Sequence, residues 1–341
     1  MRKSLLALLL LASCGLAQAE VQLKDGHPQS YTVVKGDTLW DISGKFLSEP
    51  WKWPEIWQAN PQIENPHWIY PGDLLSLVYV DGQPRLMLNR GNSHGTVKLS
   101  PEVRSKPMAE AIPTIPLEAI NSFLLNNRIV ESQADFDNAP YIVGGQGGSV
   151  LYSAGQEAFA RGNFADEDPA YGVFRQGKTY TNPNSGEFLG INANSVGAVD
   201  KRAIDGDIAT VLVTRSSEEL RRGDRLFVSE ERAVNSTFVP SAPKEVVSGI
   251  ILDVPRGVTT VGAMDVVTLD RGKRDGLVEG SVLAIYKTGE TVRDIETEQS
   301  LQMPAQRAGL VMVFRVYEKL SYALVLQADR ALSVLDQVRN P

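Results

Sequence analysis

The stretch YTVVKGDTLWDIS, residues 31–43, decides the fold of the N-terminal part of the chain. Its first four residues are aromatic or β-branched, as strand residues usually are, and Lys35-Gly36-Asp37 has the composition of a turn. Thr38 followed three residues later by Asp41 is the capping-box pattern that begins a helix. Apolar residues then recur at helical spacing: Leu39, Ile42 and Phe46. The stretch therefore predicts a strand that turns into a helix within a few residues.

A second helix and a second strand are predicted downstream. Pro54 suits the first turn of a helix, and Asn60-Pro61 suits its end. Residues 69–73 are rich in turn formers and lead into Leu74–Val80, a run of strand formers. The predicted order over residues 30–80 is strand, helix, helix, strand. Together with the β-rich remainder described below, it predicts an α+β chain with several domains.

Together these residues form the pattern Tyr-x-Val-x-x-Gly-Asp-Thr-Leu-x-x-Ile, followed by Ile-x-Pro-Gly-Asp-x-Leu. This pattern resembles the LysM family of peptidoglycan- and chitin-binding modules. The matching residues are Tyr31, Val33, Gly36, Asp37, Thr38, Leu39, Ile42, Ile69, Pro71, Gly72, Asp73 and Leu75. The end of the second helix, Trp57 to Pro61, matches as well.

The resemblance implies a shallow groove between two loops that holds the N-acetylated sugars of peptidoglycan strands. The glycan-binding residues that it implies are Gly36, Asp37, Thr38, Leu39, Ile69, Tyr70, Pro71 and Gly72. Backbone N–H groups at the start of a helix have no partner within the helix, so those after the first turn are available to a sugar acetamide. The alternative is a βααβ unit with a purely structural role.

All five tryptophans of the chain lie in this module: Trp40, Trp51, Trp53, Trp57 and Trp68. A small domain without disulfides needs large aromatic burial to be stable, which predicts a core position for Trp57. Trp51 and Trp68 lie in the longer loops, and for them core packing and sugar stacking both remain open.

The first residues have the pattern of a secretory signal peptide. Met1-Arg2-Lys3 is positively charged, an apolar run follows, and Ala17-Gln18-Ala19 fits a cleavage site. We expect residues 1–19 to be removed, with Glu20 first in a mature periplasmic chain that has no transmembrane segment. Leu11-Ala12-Ser13-Cys14 resembles a bacterial lipobox, so a lipoprotein anchored through Cys14 is the alternative.

Composition excludes several classes of function. The net charge of −7 argues against binding to nucleic acid. Cys14 is the only cysteine, so the mature chain has no thiol nucleophile and no cysteine metal site. The three histidines are not spaced as metal ligands: His27, His67 and His94. We therefore predict a protein that is not an enzyme and has no metal or cofactor.

The remainder of the chain is predicted to be β-rich. Residues 81–139 are expected to form a linker with a short helix near Leu117–Arg128. Two small barrel-like or sandwich-like units are expected at residues 140–235 and 246–341. An internal repeat links them: Gly197 and Asp224 begin and end a pattern that returns at Gly309 and Asp336, 112 residues later. The alternative is two unrelated hairpins.

The turn at residues 272–276, between strands predicted at Val266–Leu269 and Val282–Tyr286, resembles the C-terminal β-domain of FlgT-type flagellar assembly proteins. Such a domain after a LysM module resembles the TsaP family, the secretin-associated proteins of type IV pili. The resemblance implies a periplasmic adaptor that anchors an outer-membrane secretin complex to the cell wall. The alternatives are a targeting subunit that recruits a separate wall hydrolase, and a lipid-anchored structural protein without such a partner.

Overall fold

The computed structural model describes residues 21–57, 68–89, 113–115, 117–145, 149–164, 170–228, 238–255, 261–289 and 291–341. The predicted signal peptide with Cys14 and residues 90–112 of the predicted linker lie outside this part. The chain divides into two compact units, residues 1–114 and residues 115–341. Within the described ranges, every helix is too short or too polar to cross a membrane.

The first unit has the predicted strand–helix–helix–strand order. Its elements are β1 (Ser30–Thr32), α1 (Leu39–Phe46), a 3₁₀ turn (Pro50–Lys52), α2 (Trp53–Trp57), β2 (Leu74–Val80) and β3 (Gln83–Asn89). The three strands form an antiparallel sheet with β2 in the centre. Helix α1 begins at the predicted capping box, in which Thr38 and Asp41 each accept a hydrogen bond from the other's backbone N–H.

Strand β3 corrects the predicted start of the linker at Asp81. Asp81 and Gly82 have φ values of 52° and 78°, and two central residues with positive φ form the tight turn that matches the twist of a hairpin. Strand β3 then pairs with β2 along its full length. Its Leu86 and Leu88 are buried in the core of the unit, so the module extends to Asn89.

The core of the first unit settles the positions of the tryptophans. It consists of Val33, Leu39, Ile42, Phe46, Leu47, Trp53, Ile56, Trp57, Ile69, Leu75, Leu77, Leu86 and Leu88. The predicted core position of Trp57 is confirmed, and Trp51 is buried too. Trp68 differs, because half of its surface (50%) is exposed.

Where the structure describes it, the second unit is mostly β-structure with two α-helices, α3 (Leu117–Asn126), where a short helix was expected, and α4 (Gln133–Asn138). Its strands are β4 (Asn127–Val130), β5 (Tyr141–Gly145), β6 (Leu151–Tyr152), β7 (Glu157–Arg161), β8 (Ala170–Thr181), β9 (Phe188–Asp205), β10 (Ile208–Ser216), β11 (Leu220–Arg221), β12 (Arg225–Val228), β13 (Ser248–Asp253), β14 (Val266–Leu269), β15 (Val282–Lys287), β16 (Thr291–Arg293), β17 (Ser300–Gln302), β18 (Gln306–Val316), β19 (Ser321–Ala328) and β20 (Gln337–Arg339).

Twelve of these strands form two six-stranded barrels, each around its own apolar core. The first has the order β10-β7-β5-β12-β8-β9 and is closed by pairing of β9 with β10, while β4 adds to β9. The second is closed in the order β14-β19-β18-β15-β20-β13. The two barrels have the same topology. Their strands correspond in chain order: β5 to β13, β7 to β14, β8 to β15, β9 to β18, β10 to β19 and β12 to β20.

The register of the strands repeats as well. Gly197 lies opposite Ser216 in the first barrel, and Gly309 lies opposite Ala328 in the second. The β9–β10 ladder skips Arg202 and Thr214. The β18–β19 ladder skips the two residues 112 positions later, Phe314 and Leu326. Bulges at matching places are not expected of unrelated hairpins, so the predicted internal repeat is confirmed as a repeated fold.

The repeat also identifies two strained positions in the second barrel. Gly155 and Gly223 of the first barrel have φ values of 88° and 90°. Their counterparts, which make the equivalent backbone hydrogen bonds, are Met264 and Leu335, with φ values of 71° and 73°. A left-handed backbone costs a non-glycine residue about 1–2 kcal/mol, and each glycine of the first barrel avoids that cost.

We therefore expect Met264→Gly and Leu335→Gly each to raise the free energy of unfolding by about 0.5–1 kcal/mol, because relief of strain exceeds the entropy that glycine loses on folding. Urea unfolding of the full chain measures the change. Val334→Gly is the matched control, since Val334 neighbours Leu335 without a positive φ, and it should destabilise the chain. Lower stability in both glycine variants would contradict the expectation.

The two barrels are joined by ion pairs. The carboxylate of Glu187, on the first barrel, accepts hydrogen bonds from Arg274 at 2.6 and 2.9 Å and contacts the Lys319 ammonium at 3.1 Å, both on the second. The hydrogen bonds from Arg274, which have the largest effect, and from Lys319 lower the pKa of Glu187 to about 2. Lys178 of the first barrel donates to Asp253 of the second at 2.7 Å. The barrels thus form one compact unit.

Candidate functional site

The first predicted loop is a tight turn, residues 34–37, between β1 and α1. Gly36 has a φ of 97°, which favours glycine. The backbone N–H of Asp37 donates to the carbonyl of Val34 at 3.2 Å. The Asp37 carboxylate accepts from the Val34 N–H at 2.9 Å and from the Tyr31 hydroxyl at 3.0 Å. Gly36 and Asp37 therefore fix the shape of this loop.

The second predicted loop, residues 70–73, has the same construction. Gly72 has a φ of 99°, and the N–H of Asp73 donates to the carbonyl of Tyr70 at 3.0 Å. The Asp73 carboxylate accepts from the Tyr70 N–H at 3.0 Å. The two Gly-Asp pairs of the sequence pattern thus build two matching turns.

The two turns lie side by side, as the sequence predicted. The Gly72 N–H donates to the Val33 carbonyl at 2.8 Å, and the Val33 N–H donates to the Asp73 carbonyl at 2.9 Å. Among the eight predicted site residues, Gly36 and Gly72 are exposed, and Asp37, Tyr70 and Pro71 are half-buried. The other three are buried: Thr38, Leu39 and Ile69. These three can meet a ligand only through their backbone.

The backbone N–H groups at the start of α1 are not free. The Leu39 N–H donates to the carbonyl of Pro113 at 3.0 Å, and the Trp40 N–H donates to the carbonyl of Thr114 at 3.1 Å. The Asp41 N–H donates to the Thr38 hydroxyl at 3.1 Å. The sequence predicted that these N–H groups are open to a sugar acetamide, whereas in the structure a distant segment of the same unit occupies two of them.

Trp68 was not among the predicted site residues, although its exposure was left open. It directly precedes the buried Ile69 and the second turn, and half of its surface is exposed. An exposed aromatic ring next to a turn offers an apolar face to a ligand. Its place in the sequence, beside the matching Ile69, was the signal that could have added it to the site.

Tyr31, beside the first turn, contacts two charged side chains, Asp37 and Lys45. The pKa of Tyr31 is raised, because desolvation disfavours the phenolate and because Asp37 accepts its hydrogen bond. The Lys45 ammonium lies 4.8 Å from the centre of the Tyr31 ring. In the part of the chain that the structure describes, no three His, Cys, Asp or Glu side chains are grouped as metal ligands. The exposed part of the site thus combines the two turns with the half-exposed ring of Trp68.

Comparison with known proteins gives this region a family. Residues 31–77 match the LysM domain. An alignment with the uncharacterized protein YqbP of Bacillus subtilis (strain 168) is 45% identical over 60 residues, and it covers 15% of this chain and 27% of that protein. The chain thus spans about a quarter of the length of this relative. Residues 31–77 are therefore a LysM domain, which suggests binding to peptidoglycan or a related carbohydrate, since LysM is a binding module and not a catalytic one.

Proposed function

We propose that this protein is a non-enzymatic periplasmic adaptor that binds the glycan strands of peptidoglycan and holds an outer-membrane complex, the type IV pilus secretin. The observation that carries the first half is the LysM domain, with its two matching turns side by side. The second half rests on the architecture, because a separate unit of two barrels follows the binding module.

Glycan binding is assigned to the surface formed by the two turns. Gly36, Asp37, Tyr70, Pro71 and Gly72 are at least partly exposed there. Thr38, Leu39 and Ile69 can contribute only backbone groups, because their side chains are buried, and the Leu39 N–H is occupied by the Pro113 carbonyl. We add Trp68, whose exposed ring is suited to stacking on the apolar face of a sugar ring.

The two-barrel unit is assigned to the protein partner. An adaptor with one contact on the wall and a second on a membrane complex does not need two tight sites, because the first contact raises the effective concentration of the second. A single LysM domain that binds glycan weakly fits this arrangement.

The Trp68→Ala variant tests the glycan site. We expect its retention on purified peptidoglycan to fall about fivefold, which corresponds to the roughly 1 kcal/mol that an aromatic stacking contact contributes. Co-sedimentation over a range of peptidoglycan concentrations measures the change. Tyr79→Ala is the matched control, because Tyr79 is an exposed aromatic residue (62%) outside both turns. Equal retention of the two variants would remove Trp68 from the site.

Crosslinking in native membranes, followed by identification of the captured protein, tests the partner. A secretin is the expected product. Capture of a cell-wall hydrolase in its place would contradict the anchor and would indicate that the LysM domain targets that enzyme to peptidoglycan.

A further inference from the structure

The segment Pro113–Thr114 is hydrogen-bonded to the start of helix α1 in the LysM domain. The carbonyls of these two residues accept hydrogen bonds from the Leu39 and Trp40 N–H groups at 3.0 and 3.1 Å. Thr114 is completely buried (0% exposed). Both residues belong to the same compact unit as the LysM domain, so the segment is an integral contact of this unit.

The chemistry of this contact resembles that of the proposed ligand. The first N–H groups of a helix have no partner within the helix and bind acceptors from outside. The carbonyl of each residue in the segment belongs to a secondary amide, the same functional group as the acetamide of an N-acetylated sugar. A backbone N–H donates one strong hydrogen bond at a time, so the segment and a sugar acetamide cannot both use these donors.

We propose that Pro113–Thr114 is a built-in competitor for the glycan site, so that binding of wall glycan requires the segment to leave the start of α1. This inference rests on the proposed glycan-binding function and adds its regulation. The segment is covalently attached, which gives it a high effective concentration at the site. The apparent affinity for glycan is therefore reduced by the fraction of molecules in which the segment is released.

A single thiol at position 114 reports on the segment directly. The background is the full mature chain; if Cys14 is retained in it, Cys14→Ser removes the only natural thiol. Thr114→Cys then places a thiol where the side chain is fully buried, so its reaction with a maleimide should be slow. Saturating N-acetylglucosamine hexamer should raise that rate by about tenfold or more, since the buried thiol reacts only from an open state.

Ser43→Cys is the matched control, because Ser43 is similarly buried (2% exposed) and its hydroxyl bonds within α1, to the Leu39 carbonyl at 2.7 Å. Its reaction rate should not change with the hexamer. If the hexamer binds and the reaction rate of Thr114→Cys does not change, the inference is overturned while the proposed function stands. Equal acceleration at both positions would also overturn it, because the whole domain would then be opening.

A second variant tests the same inference through affinity. Thr114→Lys places a bulky cation in a buried position at the positive end of α1, which should expel the segment. Calorimetry should show hexamer binding on the order of tenfold tighter than in the unsubstituted chain, the factor expected from losing two competing backbone hydrogen bonds. Unchanged or weaker binding by the folded variant would overturn the inference. If neither chain binds the hexamer or peptidoglycan, the proposed function itself fails, and the inference fails with it.

Discussion

Ending the chain at Val80 is expected to unfold the LysM domain, whereas ending it at Asn89 is expected to leave the domain folded. The difference is β3, which pairs with β2 over seven residues, from Leu74 opposite Asn89 to Val80 opposite Gln83. Leu86 and Leu88 are 2% and 6% exposed. Burial of each leucine contributes about 1.5–3 kcal/mol, so the two together contribute about 3–6 kcal/mol. At roughly 0.05–0.15 kcal/mol per residue, a domain of this size has a total stability of only about 3–10 kcal/mol.

Fragments 20–80 and 20–89 test this expectation. Both lack Pro113 and Thr114, so the comparison isolates β3. Circular dichroism during heating should show a cooperative transition for the longer fragment and none for the shorter one. Equal melting of the two would show that β3 is dispensable for the fold.

A pair of substitutions in the full chain separates the buried face of β3 from its exposed face. Leu86→Ala should destabilise the LysM domain by about 2–5 kcal/mol, the usual cost of a large-to-small change in a core. Met87→Ala is its control, since Met87 is the next residue along β3 and is only half-buried. It should cost clearly less, because its side chain leaves the core on the opposite face of the strand.

Strand β3 was readable from the sequence, and the reason it was missed is specific. The resemblance to the LysM family ends within β2, and the predicted linker was therefore placed directly after it. Yet Asp81-Gly82 is the residue pair that a two-residue hairpin turn prefers, and Leu86 and Leu88 alternate with more exposed residues beyond it. These residues indicated a hairpin, but the linker was placed where the resemblance to the LysM family ends.

The local features that were predicted share a physical origin. The capping box at Thr38, the turns at Gly36 and Gly72, and the strand Leu74–Val80 each depend on residues that are near one another in sequence. The internal repeat was readable for a similar reason, because it compares the sequence with itself. Whether its strands close into barrels or open into sandwiches was not readable, because both architectures alternate buried and exposed residues.

The contact of Pro113 and Thr114 with α1 could not have been predicted. Both partners are backbone groups, which every residue carries, so no residue type marks the contact. The prolines near this segment favour extended backbone, and that observation predicted a linker. Trp51 and Trp68 show the same limit, since the residue type does not decide which of two tryptophans in long loops is buried.

Deleting residues 21–89 from the full chain is expected to abolish co-sedimentation with peptidoglycan and to leave the two-barrel unit folded. The LysM core lies entirely within the first unit. The cores of the two barrels, and the ion pairs of Glu187 and Asp253 that join them, lie entirely within the second. The deletion therefore removes no contact within the barrels, and the urea midpoint of their unfolding should stay the same.

The same deletion tests how the proposed function is divided along the chain. The shortened protein should still capture the outer-membrane complex, while wall attachment falls to background, because the LysM domain is the part that matches a carbohydrate-binding family. The full chain carrying Trp68→Ala is the matched comparison, since it keeps every element and should lose only part of its retention. If the shortened protein sediments with peptidoglycan as the full chain does, the glycan contact lies in the barrels, and the two matching turns are then structural.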